Sequence, residues 1–289
     1  MNKAGIVVTG GTGTVGSALL EELGQRGVQA RLIVRDPAKA AHLAAAGHEI
    51  VAGDLSEPGS LPDAFEGARS LFLLAPVHRQ SADWVHNALA AAGPGGIGRI
   101  VRFSAFRADA ASGPEILRQH GACDDALKAS GVGWTLLKPN GFFQNLLWQA
   151  GPIRSEGRFY LPLGDAQLSY LDVRDIAAAA AEALLGEGHE GRSYDLTGSE
   201  ALDCAGMAAA LSEVTGRTIT YVPIPLAAAE QSLKAIGLPD WNARAVSELQ
   251  AWFAEGEAGE ISPDLAGLLK RAPRRFADFA RDYASAFTG

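Results

Sequence analysis

Near its N-terminus the chain reads Val7-Val8-Thr9-Gly10-Gly11-Thr12-Gly13-Thr14-Val15-Gly16, a run with the spacing of a phosphate-binding turn. Read from Gly11 it is G-x-G-x-x-G, and read from Gly10 it is G-x-x-G-x-x-G; both registers share Gly13 and Gly16. Glycines here permit a tight turn and let backbone approach a diphosphate, whose charge rests on the amides and positive end of the next helix. A bare match is weak, but this one follows an apolar run and opens a helical segment, which is the context the chemistry needs. Gly10, Thr12, Gly13, Thr14, Val15 and Gly16 are therefore expected to hold a dinucleotide, against the alternative of a tight turn without a ligand.

The residue that reads the adenosine ribose should lie roughly 20 residues past such a turn, where the chain has Arg35-Asp36-Pro37. A guanidinium at a strand end can pair with a 2′-phosphate. Asp36 has another job available, because Asp followed by Pro suits a helix N-cap and first helical position. NADP(H) is accordingly favoured over NAD(H). Lys39 either adds a second positive charge to that phosphate or is a solvated surface lysine. Gly53-Asp54-Leu55 follows the third predicted strand, on the carboxyl edge where open α/β sheets bind ligands. There Asp54 either accepts from the adenine amino group or caps the helix after Pro58. Ala75-Pro76 ends the fourth strand, as a wall against the cofactor or a simple strand terminator.

The elements that must position these residues alternate in the manner of repeated βαβ units. Strands are predicted at Ile6–Thr9, Ala30–Val34, Glu49–Ala52, Ser70–Ala75, Ile100–Ser104 and Gly133–Leu137. Helices are predicted near Thr14–Arg26, Pro37–Ala46 and Pro114–Ser130. Near-continuous apolar strands with helical crossovers imply a doubly wound parallel Rossmann sheet, covered on both faces. Beyond about residue 140 the pattern loosens. Asp172–Leu185 reads as a helix capped by Asp172, with Asp175 three residues later and Gly186 at its end. Tyr194–Thr197 and Thr218–Val222 read as strands, and Leu226–Ile236, Trp241–Glu255 and Pro273–Phe287 as helices. The expected organisation is a Rossmann domain over 1–150, with some later segments returning to it, and a smaller C-terminal α+β substrate lobe over 151–289.

Composition narrows the function classes. In 289 residues, 47% hydrophobic and 20% charged residues fit a soluble chain with a sizeable core. A net charge of −8 without basic clusters argues against a nucleic-acid surface. Cys123 and Cys204 are the two cysteines, a count that reads as reduced and cytosolic, so a cytoplasmic location is expected. The N-terminus has no signal-peptide layout, and the alanine-rich Ala177–Leu185 is too short to span a bilayer. The histidines and cysteines show no metal-ligand spacing. An oligomer is compatible with the sequence, which fixes no oligomeric state.

VTGGTGTVG, VRDPAK, GDL, HGACDDALKASGVGWTLLKPNGFFQN and YLDVRDIA, in this order and spacing, resemble the NmrA-like branch of the atypical short-chain dehydrogenase/reductases over about residues 5–225. The resemblance implies a Rossmann domain with a smaller substrate lobe and a preference for NADP(H). Within that family some members reduce quinones, dyes or unsaturated carbonyl compounds, and others sense the nucleotide without turnover. Ordinary short-chain dehydrogenases place Tyr-x-x-x-Lys on the helix after the fifth strand, where i and i+4 share a face. By that correspondence Ile116 stands at the tyrosine position and His120 at the lysine position. Ile116, His120, Cys123 and Leu127 form a helical stripe, so His120 faces inward. Two readings of His120 stay open, a satisfied core histidine and a group contacting cofactor or substrate, with general-acid catalysis as a further step.

Ser104 ends the fifth strand, where the wider superfamily keeps a serine against the substrate; it orients a carbonyl oxygen or merely caps backbone. The resemblance also places Pro139-Asn140-Gly141-Phe142-Phe143 beside the nicotinamide, with Phe142 and Phe143 shaping a substrate pocket. Inter-lobe core packing is the expected fate of at least one of these rings. Gln144 and Asn145 are candidate polar contacts, and Tyr160, Tyr170 and Tyr194 are candidate proton donors.

The expected function is an NADPH-dependent reductase of a quinone, enone or related apolar, conjugated small molecule. A non-catalytic NADP(H)-sensing regulator acting through a protein partner is the alternative, and an isomerase with a closed redox cycle ranks third. Ile116 favours the regulator; Ser104 and the phenylalanine pair favour the enzyme.

Overall fold

The computed structural model describes residues 5–288. In chain order its elements are β1 (Ile6–Val8), α1 (Thr14–Gln25), β2 (Arg31–Val34), α2 (Ala41–Ala45), β3 (Glu49–Ala52), α3 (Leu61–Phe65), β4 (Ser70–Leu73), α4 (Ser81–Ala92), β5 (Arg99–Phe103) and α5 (Glu115–Ala129). They continue with β6 (Gly133–Pro139), α6 (Ala150–Glu156), β7 (Arg158–Leu161), α7 (Val173–Leu185), β8 (Arg192–Leu196), α8 (Cys204–Thr215) and β9 (Thr220–Pro223). Five helices close the chain: α9 (Leu226–Ala235), α10 (Asp240–Trp252), α11 (Asp264–Leu269), α12 (Phe276–Asp282) and α13 (Ala284–Phe287).

The main sheet has seven strands in the order β3-β2-β1-β4-β5-β6-β8. The pairs from β3 through β6 are parallel, for example Val8 opposite Leu32 on one side and Phe72 on the other. This is a doubly wound Rossmann sheet whose order reverses between β1 and β4, so ligands belong outside the carboxyl ends of those strands. Every residue of β2 and β4 is buried, as expected for strands covered on both faces.

The chain forms two compact units. One runs to Ser112 and adds Leu117–Lys138 and Ile176–Tyr194; the other holds Gly113–Ile116, Pro139–Asp175 and everything from Asp195. The first unit packs Val7, Ile33, Phe65, Leu71, Val85 and Ile100 around its sheet. The second pairs β7 with β9 in parallel and packs Phe143, Phe159, Leu211, Phe276, Phe279 and Phe287 together.

Three predicted helices differ in detail. Residues 37–45 form a tight 3-10 turn over Pro37–Ala40 followed by α2, with Asp36 as the expected cap: its Oδ1 accepts from the Ala38 N–H at 3.1 Å. The segment near Trp241–Glu255 ends its regular turns at Trp252 and widens over Phe253–Glu257, where Gly256 takes φ +92°. Pro273–Phe287 is not one helix. The Asp278 carboxylate accepts from the Arg275 N–H at 3.0 Å and Glu200 Oε1 accepts from the Phe276 N–H at 3.0 Å, starting α12 at Phe276; Tyr283 separates it from α13. Asp172 caps α7 by accepting from the Arg174 N–H at 2.9 Å. Asp175 instead binds the Arg274 N–H and the Arg271 side chain, both at 2.6 Å. Both cysteines are free and buried. Among the described residues no helix is long and apolar enough to cross a membrane.

Candidate functional site

The turn after β1 uses the register of Gly10, Gly13 and Gly16. Gly10 sits at φ +68°, a left-handed conformation that L side chains rarely adopt. A Cβ on Gly16 would lie 2.2 Å from the Gly10 carbonyl oxygen, so only glycine lets α1 pack this closely on the turn. Gly13 is the N-cap of α1 and no side chain caps the helix. Its first-turn amides are thereby left for a ligand, since the first four N–H groups of a helix have no partner within it. Thr9 holds the turn against β4: its Oγ1 donates to the Leu74 carbonyl and accepts from the Leu74 N–H, both at 2.9 Å. Thr12, Gly13 and Thr14 are exposed. Val15 is 5% exposed and packs inward, which leaves only its amide to face a nucleotide.

Arg35, just past β2, is exposed and has no hydrogen-bond or ion-pair partner among the described residues. Lys39 extends into solvent with its side chain 84% exposed, its Nζ 3.8 Å from the Asp36 carboxylate. Asp54 does not cap the turn after Pro58, whose N-cap is Glu57. Its Oδ1 accepts from the Ser56 N–H at 2.8 Å and the Ser56 hydroxyl at 2.9 Å, closing a local turn. Leu55 is half-buried, its carbonyl accepting from Asn87 Nδ2 at 2.8 Å. Past β4, Ala75 is half-buried and Pro76 exposed, the Pro76 carbonyl accepting from Ser81 Oγ at 2.5 Å.

A charged cluster that sequence reasoning did not find lies where β5 and β6 end beside α5. Asp124, 1% exposed, is its hub. It pairs with Arg102 Nη1, accepts from Ser104 Oγ at 2.7 Å, and stands 3.6 Å from Lys138 Nζ. Lys138 also donates to the Ala108 carbonyl at 3.3 Å. That carbonyl belongs to a segment laid directly across α5 at Gly121, where a Cβ would meet Asp109 and Ala110 backbone at 2.2–2.3 Å. The Ser104 proton goes to Asp124, so the expected donation from Ser104 to a substrate carbonyl is not what this geometry offers.

His120 completes the cluster. Arg102 Nη2 donates to its Nδ1 at 3.2 Å. A guanidinium can only donate, so Nδ1 accepts and the proton of the neutral ring is on Nε2. Burial, then the positive charges of Arg102 and Lys138, hold the imidazole down to about 3. At neutral pH His120 is a neutral hydrogen-bond donor and not an acid. Cys123, one turn along, has its thiol pushed up by burial, so no thiolate is available there. Two signals could have pointed to the cluster: an arginine inside the apolar strand RIVRF, and Asp124 four residues after His120 on one helix face.

In the second unit, Asn140 serves the fold. It is 4% exposed, donates through Nδ2 to Ser169 Oγ and the Ala258 carbonyl at 2.9 Å each, and accepts from the Gly141 N–H at 2.8 Å. These are three of the four bonds an amide side chain can make, and they tie Asn140 into the second unit. Pro139 beside it is buried. Phe143 is core, edge-on to Phe276 at 5.3 Å and tilted against Phe279 at 5.7 Å. Phe142 is half-buried and bridges to Leu171. Gln144 points inward, donating to Asp172 at 3.0 Å, while Asn145 is exposed. The three tyrosines are engaged or masked. Tyr160 donates to Glu156 at 2.5 Å, Tyr194 in the first unit meets His189 Nδ1 at 2.9 Å, and burial pushes the Tyr170 phenol far above its usual range.

A family model described as NAD(P)H-binding matches residues 10–185. The NAD(P)H azoreductase of Xenophilus azovorans is 38% identical over 282 residues, 98% of this chain and 99% of that protein. The chain belongs to this NAD(P)H-binding family. Among solved structures, an NADPH-dependent quinone oxidoreductase of Escherichia coli complexed with NADPH is 30% identical, with a TM-score of 0.87 over 96% of this chain and 99% of that one. The triphenylmethane reductase of Citrobacter complexed with NADP(H) is 25% identical, with a TM-score of 0.86 over 96% of this chain and 99% of that one. Membership agrees with the NmrA-like, atypical short-chain dehydrogenase/reductase resemblance of the sequence. The residues present fit the family's nucleotide: α1 starts without a side-chain cap, the turn has a glycine at each close approach, and a free guanidinium follows β2.

Proposed function

We propose that the chain is an NADPH-dependent reductase of quinones, conjugated enones or related flat, electron-poor small molecules. The observation that carries this reading is the hydrogen bond from Arg102 Nη2 to Nδ1 of His120, the one imidazole on α5, which leaves a ring kept neutral by burial to donate from Nε2. When bound, the nucleotide supplies a hydride. The turn from Gly10 to Gly16 holds the diphosphate on the first amides of α1, and Arg35 pairs with the 2′-phosphate. Asp54, Leu55, Ala75 and Pro76 flank the adenosine half through backbone and apolar contact. His120 donates from Nε2 to an oxygen of the nicotinamide ribose or the substrate. Ile116 and His120 stand in place of the tyrosine and lysine of ordinary short-chain dehydrogenases, so no side chain on that face delivers a proton. A plain ketone would leave a localised alkoxide, whereas a quinone or enone spreads the developing charge over its own π system. The names azoreductase and quinone oxidoreductase among its relatives support acceptors of that kind.

The absent tyrosine also suits a second reading, a nucleotide sensor without turnover. Loss of NADPH absorbance against naphthoquinones, enones and azo dyes, run beside fluorescence titrations with NADPH and NADP⁺, separates the two. The reductase reading predicts turnover on at least one conjugated acceptor. Tight binding that strongly prefers one redox state, with no acceptor reduced, would replace it with the sensor.

A further inference from the structure

We propose that Asp124 is the positioning residue for His120: by clamping Arg102 against Nδ1 it fixes the Nε2–H tautomer, making His120 a permanent hydrogen-bond donor to an oxygen acceptor bound at the carboxyl end of β5. The proposal deepens the reductase reading but can be tested without it.

The geometry leaves Arg102 few alternatives. Its Nη1 is held by Asp124 and its Nη2 faces His120, while its Nε is buried without a hydrogen-bond partner. The Arg102 side chain is buried, 3% exposed, so little solvent competes for it. Asp124 is equally committed, with one oxygen on Arg102 and the other taking the Ser104 proton. The charged and titratable groups around the imidazole are Arg102 on β5, Lys138 at the end of β6, Asp124 and Cys123 on α5, and Asp83 on α4, whose charge reaches Cys123. Burial first, then the charges of Arg102 and Lys138, disfavour a further proton on His120 and so preserve its neutral form. A buried ion pair is a weak source of stability, since desolvation offsets most of its attraction. What this one does specify is direction: the tautomer of a histidine is set by the hydrogen bond its other nitrogen makes. A ring locked with its proton on Nε2 delivers the same bond at every pH at which the protein works.

The test is histidine ¹⁵N NMR, with the His120 signals assigned from their loss in His120→Gln. The expected result is an unprotonated Nδ1 and protonated Nε2 that do not titrate between pH 5 and 8. Asp124→Asn should release Arg102 and convert the ring to a mixture of tautomers, with Asp124→Glu restoring the single form. If Asp124→Asn does not fold, Arg102→Met leaves Asp124 paired with Lys138 and Ser104; its His120 should lose the single tautomer because the Arg102 donor to Nδ1 is gone, while burial still holds its titration below the ordinary 6.5. Roughly tenfold weaker NADPH binding in the folded variant identifies the ribose as acceptor. A roughly tenfold lower kcat/KM with unchanged NADPH binding identifies the substrate. An Nδ1–H tautomer or a titration near 6.5 in the wild type would overturn the proposal. So would a tautomer change that leaves both binding and turnover untouched. A protein that shows the locked tautomer and weaker NADPH binding in the variant, yet reduces no acceptor, would sink the reductase reading while sparing this one.

Discussion

At neutral pH His120 cannot give up a second proton, and this has a consequence for acid stability. Its folded-state value of about 3 lies far below the 6.5 of an unfolded histidine. Between those values only the unfolded chain takes up the proton, so this site costs the fold stability as pH falls from 6.5 toward 3. At pH 5 the loss is about 2 kcal/mol. Urea unfolding of wild type and His120→Gln at pH 7 and pH 5 should show the wild type losing more, by up to that amount. His48, also lowered by burial, is common to both proteins and cancels. Arg35 predicts a second outcome. A charge-assisted hydrogen bond contributes about 1.5–3 kcal/mol, so Arg35→Ala should weaken NADPH roughly 10- to 100-fold and leave NADH nearly unchanged; equal losses in parallel titrations would remove the assignment to the 2′-phosphate. The Asp36 cap and the glycine turn were legible in the sequence because they are local, set by a strand end and a helix start. The cluster of Arg102, Ser104, Asp124 and Lys138 was not, because it joins two strands and a helix across spacings that no motif encodes.

At the scale of elements, α1 makes the sharpest prediction, because it carries a constrained and a free glycine. Gly16→Ala would put its Cβ 2.2 Å from the Gly10 oxygen, so the turn must open, whereas a Cβ on Gly24 meets nothing within 4 Å. Gly16→Ala should lower Tm and weaken NADPH at least tenfold. Gly24→Ala should bind normally and match or exceed wild-type Tm, because alanine is the better helix former by about 1 kcal/mol. Thermal melts with and without NADPH check both; similar behaviour of the two variants would mean the turn is not a rigid cradle. The first six strands were readable from apolar runs bounded by turn residues. The alanine-rich helices α4 and α8 carried no comparable signal, because small buried residues such as Ala88, Ala92 and Ala208 blur the helical stripe. The split between α12 and α13 was hidden for another reason, since the start of α12 depends on Glu200, far away in sequence.

For the whole molecule, the strand order β3-β2-β1-β4-β5-β6 puts the glycine turn and the end of β4 on either side of the point where the sheet reverses. Alternating apolar and helical segments made that architecture legible. The return of Ile176–Tyr194 to the first unit was visible only as a possibility, because the helical pattern of α7 does not say which core it joins. If the proposed reduction runs without a protein acid, the acceptor must stabilise its own charge. The most direct measurement is single-turnover NADPH absorbance with enzyme in excess, comparing a naphthoquinone with a saturated ketone of similar size. The expected result is stoichiometric loss of NADPH with the quinone and none with the ketone on the same timescale. Equal rates for the two, or a bound nucleotide that neither oxidises, would contradict it.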